Sequence, residues 1–370
     1  MKRPVIGVLT WREGRRFAEP VYFRRLIKAG EKLGATVFLF APHDVLAGGK
    51  QVRGYVLDHN GKWQAKLFPT PDAVFDRYRY TPTQAFRDYV AFRRNSRFLY
   101  ANNRLANKWR VHDVLTRDPR MHRWLPETLL YTSPAILTRM LARHALLYVK
   151  PINGTGGRNI LRIERTNAGY RLLGRDKQRA KVTSLLSTVP AVQRFVSRWA
   201  KGDRYVVQQG LHLELMPRRS VDMRLLIQKD GSGEWSITGH AIRVGGERSA
   251  TSNLHGGGKA VPVPAFLSPR FGAEKTKQII SDCEQLAHQT ARTLENHFGR
   301  MVEFGLDIGI DVEGRAWLIE VNPKPAREVF REMGMSELYQ KAISRPLEYA
   351  LYLARTKGQD NAGSRNAAEG

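Results

Sequence analysis

"EFGLDIGIDVEGRAWLIEVNPKP", Glu303 to Pro325, alternates apolar and β-branched residues on both sides of a Glu-Gly pair. The pattern predicts a β-hairpin with Glu313-Gly314 as a two-residue turn. Pairing Val312 with Arg315 and counting outward sets Asp307 opposite Glu320, with Asn322 on the same face two residues further on. Like charges opposed across strands repel, and a cation between them reverses that penalty. Two carboxylates and an amide oxygen are hard ligands, suited to Mg²⁺, which also takes phosphate oxygens. Asp311 lies four residues from Asp307, about 13 Å at strand rise, too far to share that ion. Taken alone, the stretch equally fits a solvated hairpin face with scattered acids.

The 370 residues suffice for a large core divided into two or three units. At 42% hydrophobic and 26% charged, the composition is that of a soluble globular protein, and no apolar run approaches the ~18 residues of a membrane span. The opening "MKRPVIGVLTWREG" is interrupted by charge and glycine within a few residues, which predicts a first strand and not a signal peptide. Cys283 is the one cysteine, so no intrachain disulfide forms, as fits a reducing, cytoplasmic setting. Lys and Arg number 61 against 34 Asp and Glu, a net charge of +27 that favours acidic partners: nucleotides, nucleic acid or an anionic polymer. No helix-turn-helix, zinc-finger or RNA-binding signature accompanies the charge.

Along the chain, residues 1–104 read as an N-terminal α/β domain. "VIGVLT" and "TVFLF" are strands around a basic amphipathic helix from Val21 to Leu33. "VRGYVLDHNGKWQAKLF" is a hairpin, "DAVFDRY" a strand, and a helix follows from about Pro82 to Arg94. "ANNRLANKWRVHDVL" opens another helix, with Asn102 or Asn103 as N-cap. Residues 105–356 form the second domain. It contains strands "LLYVKP", "NILRIER", "GYRLLG" and "RYVVQQGL", a helix over 188–198, a long hairpin turning at "DGSG", a helix over 274–298, the opening hairpin, and a helix from about 335 to 356. Residues 357–370 are small and polar, which predicts a disordered tail.

In "YVKPINGTGGRNILRIER", Lys150 ends an apolar strand, and Gly154, Gly156 and Gly157 precede a second strand. Walker A and dinucleotide-binding loops both lead into a helix, so this is neither. A glycine loop between antiparallel strands lets backbone N–H groups approach phosphate, with a lysine at its base; an ordinary glycine-rich hairpin turn reads the same way. Further residues fall in a fixed order around it: Lys108 upstream, then "VVQQGL", Asp222 and Arg224 on one strand face, Arg243 on the partner strand, "SNLHGGGKA", and the acidic hairpin.

In that order the sequence resembles the ATP-grasp superfamily, and within it the YheC/YheD-type spore-coat-associated proteins. The resemblance covers most of the chain, and its most specific part is "EVN" after a two-strand hairpin with an upstream Asp. It implies an α/β (α+β) ATP-grasp fold, two subdomains with ATP between them, behind an N-terminal pre-ATP-grasp-like domain. Carried over residue by residue, Lys108 and Lys150 would hold the ATP phosphates, and Gly154, Thr155, Gly156 and Gly157 would close over them. Gln208, Gln209 and Leu211 would form the adenine hinge. Many relatives have an acid where this chain has Gln208, which changes that contact. Glu214 lies one residue from the expected ribose-binding acid, and Asn253 and Gly257 belong to a second nucleotide loop. Asp307, Glu320 and Asn322 would be the Mg²⁺ ligands, and Arg224 and Arg243 the catalytic cations near the transferred phosphoryl group.

The resemblance implies a ligase that activates an unknown carboxylate as an acyl phosphate and joins it to an amine or thiol. The acceptor would be an anionic polymer or coat protein related to the spore coat or cell wall. His112, His212, His240, His255 and His297 read as surface or packing histidines, with His255, beside the glycine loop, the exception. Two other readings stand beside the ligase. One is a non-catalytic coat scaffold that retains the fold; the other is a nucleic-acid binder using the basic surface.

Overall fold

Three long hairpins turn on the same pattern, Asp-x-x-Gly, at Asp58–Gly61, Asp230–Gly233 and Asp311–Gly314. In each, the glycine N–H donates to the aspartate carbonyl, and the aspartate N–H donates to the carbonyl of the residue after the glycine. The aspartate Oδ1 accepts two further loop N–H groups: Asn60 and Lys62, Ser232 and Glu234, Glu313 and Arg315. Gly61, Gly233 and Gly314 have φ of 70°, 86° and 83°, the left-handed region that glycine enters without strain. The loops are thus three-residue turns of the type-I-plus-bulge kind, in which the aspartate replaces missing ladder bonds.

The computed structural model describes residues 3–46, 48–81, 83–152, 159–176, 178, 180–202, 204–217, 219–245 and 258–366, with side chains as far as 356. In chain order the N-terminal unit holds β1 (Val5–Leu9), β2 (Arg12–Glu13), β3 (Arg16–Phe17), α1 (Pro20–Lys32), β4 (Thr36–Phe40), β5 (Gln51–Leu57), β6 (Trp63–Pro69), β7 (Ala73–Asp76) and α2 (Gln84–Asn95). Then come α3 (Lys108–Thr116), β8 (Thr128–Leu130), α4 (Pro134–Arg143), β9 (Leu146–Pro151), β10 (Ile160–Thr166), β11 (Gly169–Arg175), β12 (Lys181–Leu186), α5 (Val189–Trp199) and β13 (Tyr205–Gln209). The last part is β14 (Val221–Lys229), β15 (Trp235–Val244), β16 (Lys259–Val261), α6 (Val263–Phe271), α7 (Ala273–Phe298), β17 (Glu303–Ile310), β18 (Ala316–Asn322), α8 (Glu328–Glu332) and α9 (Ser336–Asn366).

Three main sheets result, in strand orders β6-β5-β4-β1-β7, β12-β11-β10-β9-β13-β8 and β16-β15-β14-β17-β18. In the first, β1 lies parallel between β4 and β7. The second and third are antiparallel. α4 and α5 cover one face of the second sheet through Leu137, Met140, Val192 and Val196, which leaves Tyr148, Lys150 and Gln208 on the other face.

Strand alternation divides the third sheet between two tasks. Met223, Leu225 and Ile227 of β14 point into the core under α7, among Ile279, Cys283 and Leu286. Asp222, Arg224, Leu226 and Gln228 occupy the opposite face. There Leu226 joins the core that α9 shares with the N-terminal sheet, where Ala342, Ile343, Leu347 and Ala350 meet Phe23, Leu26 and Val37. The end of the same face that carries Asp222 and Arg224 is given over to polar groups.

The structure corrects three expectations. The Glu-Gly pair is not a two-residue turn: Asp311 pairs with Arg315, and Ile310 faces Ala316. That register would leave Asp307 one residue out of step with Glu320, but a bulge between Asp307 and Ile308 restores the expected Asp307–Glu320 pair. The N-cap of α3 is Asn107, whose side chain accepts from Arg110 N at 2.9 Å. Asn102 instead holds the end of β7, and Asn103 donates to the Phe298 carbonyl. α9 runs to Asn366, past the start of the expected tail at 357; no proline interrupts that stretch, so an established helix can propagate. Among the described residues no helix is long and apolar enough to cross a membrane.

Buried charges join the units. Arg77, 1% exposed, donates to Glu19 at 2.9 Å, to Glu303 at 3.0 Å and to the Pro325 carbonyl at 2.8 Å. Glu303 also accepts from Arg327 and Gln228. Burial works against a charged Glu19, yet Arg77 and Arg79 overcome it and bring its pKa down to about 2. Removing one member of such a set strands the rest, so Arg77→Met is expected to cost roughly 3 kcal/mol in urea denaturation. A loss below about 1 kcal/mol would show the network to be dispensable.

Candidate functional site: a carboxylate–arginine row facing two lysines

One row of side chains crosses the third sheet. Asp222 and Arg243 are register partners on β14 and β15, Arg224 pairs with Asp307 on β17, and Asp307 with Glu320 on β18. Because paired residues share a face, all five lie on one surface, and Asn322 follows two residues beyond Glu320. Arg243 grips Asp222 with two bonds, Nε to Oδ1 at 2.7 Å and Nη2 to Oδ2 at 2.6 Å. It also reaches Asp307 Oδ1 at 3.1 Å, as does Arg224 Nε at 2.8 Å.

Within this row, Asp307 Oδ1 and Arg224 Nε are buried and, among the described residues, lack a hydrogen bond; they face one another as charges without hydrogen-bond alignment. Burial pushes the Asp307 carboxyl above its usual range, against the pull of Arg224 and Arg243. Burial lowers Arg224, with Asp307 opposing. Burial works against the Arg243 charge, but its bonds to Asp222 and its charge contacts with Asp222 and Asp307 outweigh that and raise its pKa. The opposed acids are therefore balanced by the chain's own guanidinium groups, and on the outer side by Lys108, whose Nζ lies 2.9 Å from Glu320 Oε1.

Lys108 is the first residue of α3, presented by the Asn107 cap. Lys150 projects from β9 on the open face of the second sheet and donates to Gln208 Oε1 at 2.7 Å; Gln208 in turn donates to Thr128 Oγ1 at 2.8 Å. Burial, and then Lys108, bring the Lys150 pKa down to about 8 against the opposing charge of Glu320, so residues of the second and third sheets meet here. His112 of α3 faces the same place. Among the described residues its Nε2 is buried without a hydrogen bond, and burial, then Lys150, takes its pKa down to about 4. This histidine, expected at the surface or in packing, thus adjoins the lysine pair.

Lys108, Lys150, Arg224, Arg243, Asp307, Glu320 and Asn322 thus lie near one another. Gln209 does not offer its side chain, which accepts from Glu127 N at 3.1 Å while its own N–H donates to the Glu127 carbonyl. Leu211 is half-buried and Glu214 exposed, on the irregular segment after β13. Gly154, Thr155, Gly156, Gly157, Asn253, His255 and Gly257 lie outside the described residues. Asp222 was legible only as the start of Asp-x-Arg; its grip on Arg243 depends on strand pairing. Thr128 and Lys324 gave no signal in the sequence.

The donor set fits a hard cation. Asp307 Oδ1 sits between two guanidinium groups, Glu320 stands opposite Asp307, and Asn322 Nδ2 lies 3.4 Å from Asp307 Oδ2, where rotation of the amide would present its oxygen beside that carboxylate oxygen. Among the described residues no group of three or more His, Cys, Asp or Glu side chains forms a metal cluster. The set here is two carboxylates and an amide.

A lysine-bearing antiparallel sheet set against a second sheet with this acidic row defines an ATP-grasp protein. A model of the YheC/D-like ATP-grasp family matches residues 97–353, and the chain belongs to that family. It is 27% identical over 345 residues to the endospore coat-associated protein YheD of Bacillus subtilis (strain 168), covering 90% of this chain and 74% of that one. It is 25% identical to YheC of the same organism over 355 residues, 92% and 94% of the two chains. Among solved structures, the fold is similar to that of the D-cycloserine synthetase DcsG, with TM-score 0.52 and 14% identity over 95% of this chain and 99% of that one. It is also similar to the D-alanine-D-alanine ligase of Coxiella burnetii, with TM-score 0.51 and 12% identity over 99% and 100% of the chains.

A lysine with pKa about 8 when folded and 10.5 when free binds fewer protons in the folded state between those values. Its penalty on folding is therefore full at neutral pH and fades as pH rises toward 10.5. Lys150→Met is expected to be the more stable protein at pH 7, by roughly 2 kcal/mol, with the gap closing between about pH 8 and 10.5. Denaturation of both proteins at pH 7 and pH 10 measures it; a constant gap would refute the assignment.

Proposed function

We propose that this chain is an ATP-dependent ligase that joins a carboxylate to an amine or thiol through an acyl phosphate, with ADP as product. The observation that carries the reading is the single face on which Asp307, Glu320, Arg224 and Arg243 lie in register beside Lys108 and Lys150. Anionic oxygens gather in phosphoryl transfer, and fixed cations around them lower the barrier by positioning and charge stabilisation.

Lys108 and Lys150 would take the ATP phosphates, and polyphosphate would restore the ammonium charge that burial disfavours on Lys150. Asp307, Glu320 and Asn322 would hold Mg²⁺, which when bound neutralises the β- and γ-phosphates. Arg224 and Arg243 would face the phosphoryl group as the substrate carboxylate oxygen bonds to the γ-phosphorus and the bond to ADP breaks. The amine or thiol would then attack the acyl carbon and release phosphate. Asp222 keeps the Arg243 fork oriented throughout. Gly154 to Gly157, Asn253 and Gly257 complete the proposed nucleotide loops, Gln208 to Leu211 the adenine side, and Glu214 the ribose side.

The acceptor we assign is an anionic coat or cell-wall component, met in the cytoplasm. The relatives' names as endospore coat-associated proteins and the net charge of +27 support it.

Thermal unfolding with ATP, with and without Mg²⁺, tests the site. Mg-ATP is expected to raise the Tm of wild type by several degrees, as for a ligand well above its Kd. Glu320→Gln and Lys150→Ala should lose most of that shift. Equal shifts in all three proteins would overturn the assignment, and ADP formation that depends on an added acidic acceptor would then separate ligase from scaffold.

A further inference from the structure

Lys324 carries a buried ammonium that the proposed reaction does not use. Its side chain is 17% exposed, and its Nζ donates to Asp76 Oδ1 at 3.2 Å and to the Tyr78 carbonyl. Asp76 ends β7 of the N-terminal sheet and is 1% exposed on its side chain. It is fixed from several sides: Tyr89 OH donates to Oδ2 at 2.6 Å, Arg93 Nε lies 3.0 Å from Oδ2, and its backbone N–H donates to Asn102 Oδ1 at 2.9 Å. The anchor is therefore rigid before Lys324 reaches it.

The other end of the link lies under the acidic row. Lys324 stands two residues past Asn322, and the carbonyl of Pro325 accepts from Arg77 at 2.8 Å and Arg327 at 3.1 Å. The chain folds back so that Pro325 covers Gly305, the register partner of Asn322. A Cβ on Gly305 would meet Pro325 Cβ at 2.6 Å and Arg224 Nη1 at 3.1 Å, so glycine is required for this approach. Pro325 and the Arg224 guanidinium thus both close in on Gly305, which is paired with Asn322 of the proposed metal set.

An apolar side chain of similar length would fill this space without the cost of desolvating an ammonium. What lysine adds is a directed bond between two sheets. We propose that Lys324 is a positioning residue: seated on Asp76, it ties the loop after Asn322 to the N-terminal sheet and fixes Asn322 and Arg224 for Mg-nucleotide. The inference rests on the reading that Asp307, Glu320 and Asn322 hold Mg²⁺. Outer-shell partners of this kind set metal affinity by about 10- to 100-fold.

The test is the Mg²⁺ concentration at half-maximal thermal stabilisation by saturating ADP, measured on the full chain. Lys324→Met is expected to raise that midpoint about tenfold. Arg345→Met serves as control, because Arg345 bonds Ser236 and Thr238 and does not touch the loop; it should lower Tm and leave the midpoint unchanged. If Lys324→Met does not fold, Lys324→Gln, which keeps a hydrogen bond to Asp76, should show a smaller shift in the same direction. A lowered Tm with the wild-type midpoint in whichever Lys324 variant folds would make Lys324 merely structural and overturn the proposal. Absence of any Mg-ADP response in wild type would overturn the metal reading and this inference together, and that failure is visible before any variant is made.

Discussion

Asp307 and Glu320 stand opposite each other on adjacent strands, and two carboxylates in that position repel unless cations surround them. Much of the architecture meets this constraint. Arg224 and Arg243 reach Asp307 from one side, and Lys108 reaches Glu320 from the other. The cations come from β14, β15 and the first turn of α3, so the acidic pair exists only where these elements are assembled. Asp307 Oδ1 and Arg224 Nε meet at 2.8 Å as charges without hydrogen-bond alignment, so among the described residues each is paired electrostatically but not hydrogen-bonded. A buried acceptor and a buried donor without hydrogen bonds are costly, and such groups persist where a ligand completes them.

A second set of buried charges has another role. Arg77, Arg327, Glu303, Glu19 and Gln228 are knitted together where the N-terminal sheet, β17 and α9 meet. Here every carboxylate oxygen of Glu303 is bonded, in contrast to Asp307. The two networks lie on the same face of one sheet, one satisfied and one not. Satisfaction fits a joint between units and its absence fits a binding site.

The fold and much of the site were legible in the sequence for a local reason. Strand alternation and turn chemistry act over a few residues, so "DIGIDVEGRAWLIEVN" already placed Asp307, Glu320 and Asn322 on one face. The local turn differs from the Glu-Gly expectation, since Asp311 makes a three-residue turn and a bulge beside Asp307 returns the register. The recurrence of Asp-x-x-Gly at three hairpins was present in the sequence too, and its meaning appears only when the aspartate oxygens are seen to cap the loops.

Thr128 and Lys324 gave no signal in the sequence, and Asn102, Gln209 and His112 were expected in other settings, because the groups they meet lie far along the chain. Gln209 is held by Glu127, and Lys324 by Asp76. By itself, the sequence determined the alternation of strands and helices, the turns, and which residue types share a strand face, since these follow from backbone periodicity and local sterics. Only the tertiary structure decided which charges meet. Ion-pair partners are chosen by three-dimensional proximity under desolvation, and nothing in the spacing of Lys324 and Asp76 along the chain records that they touch.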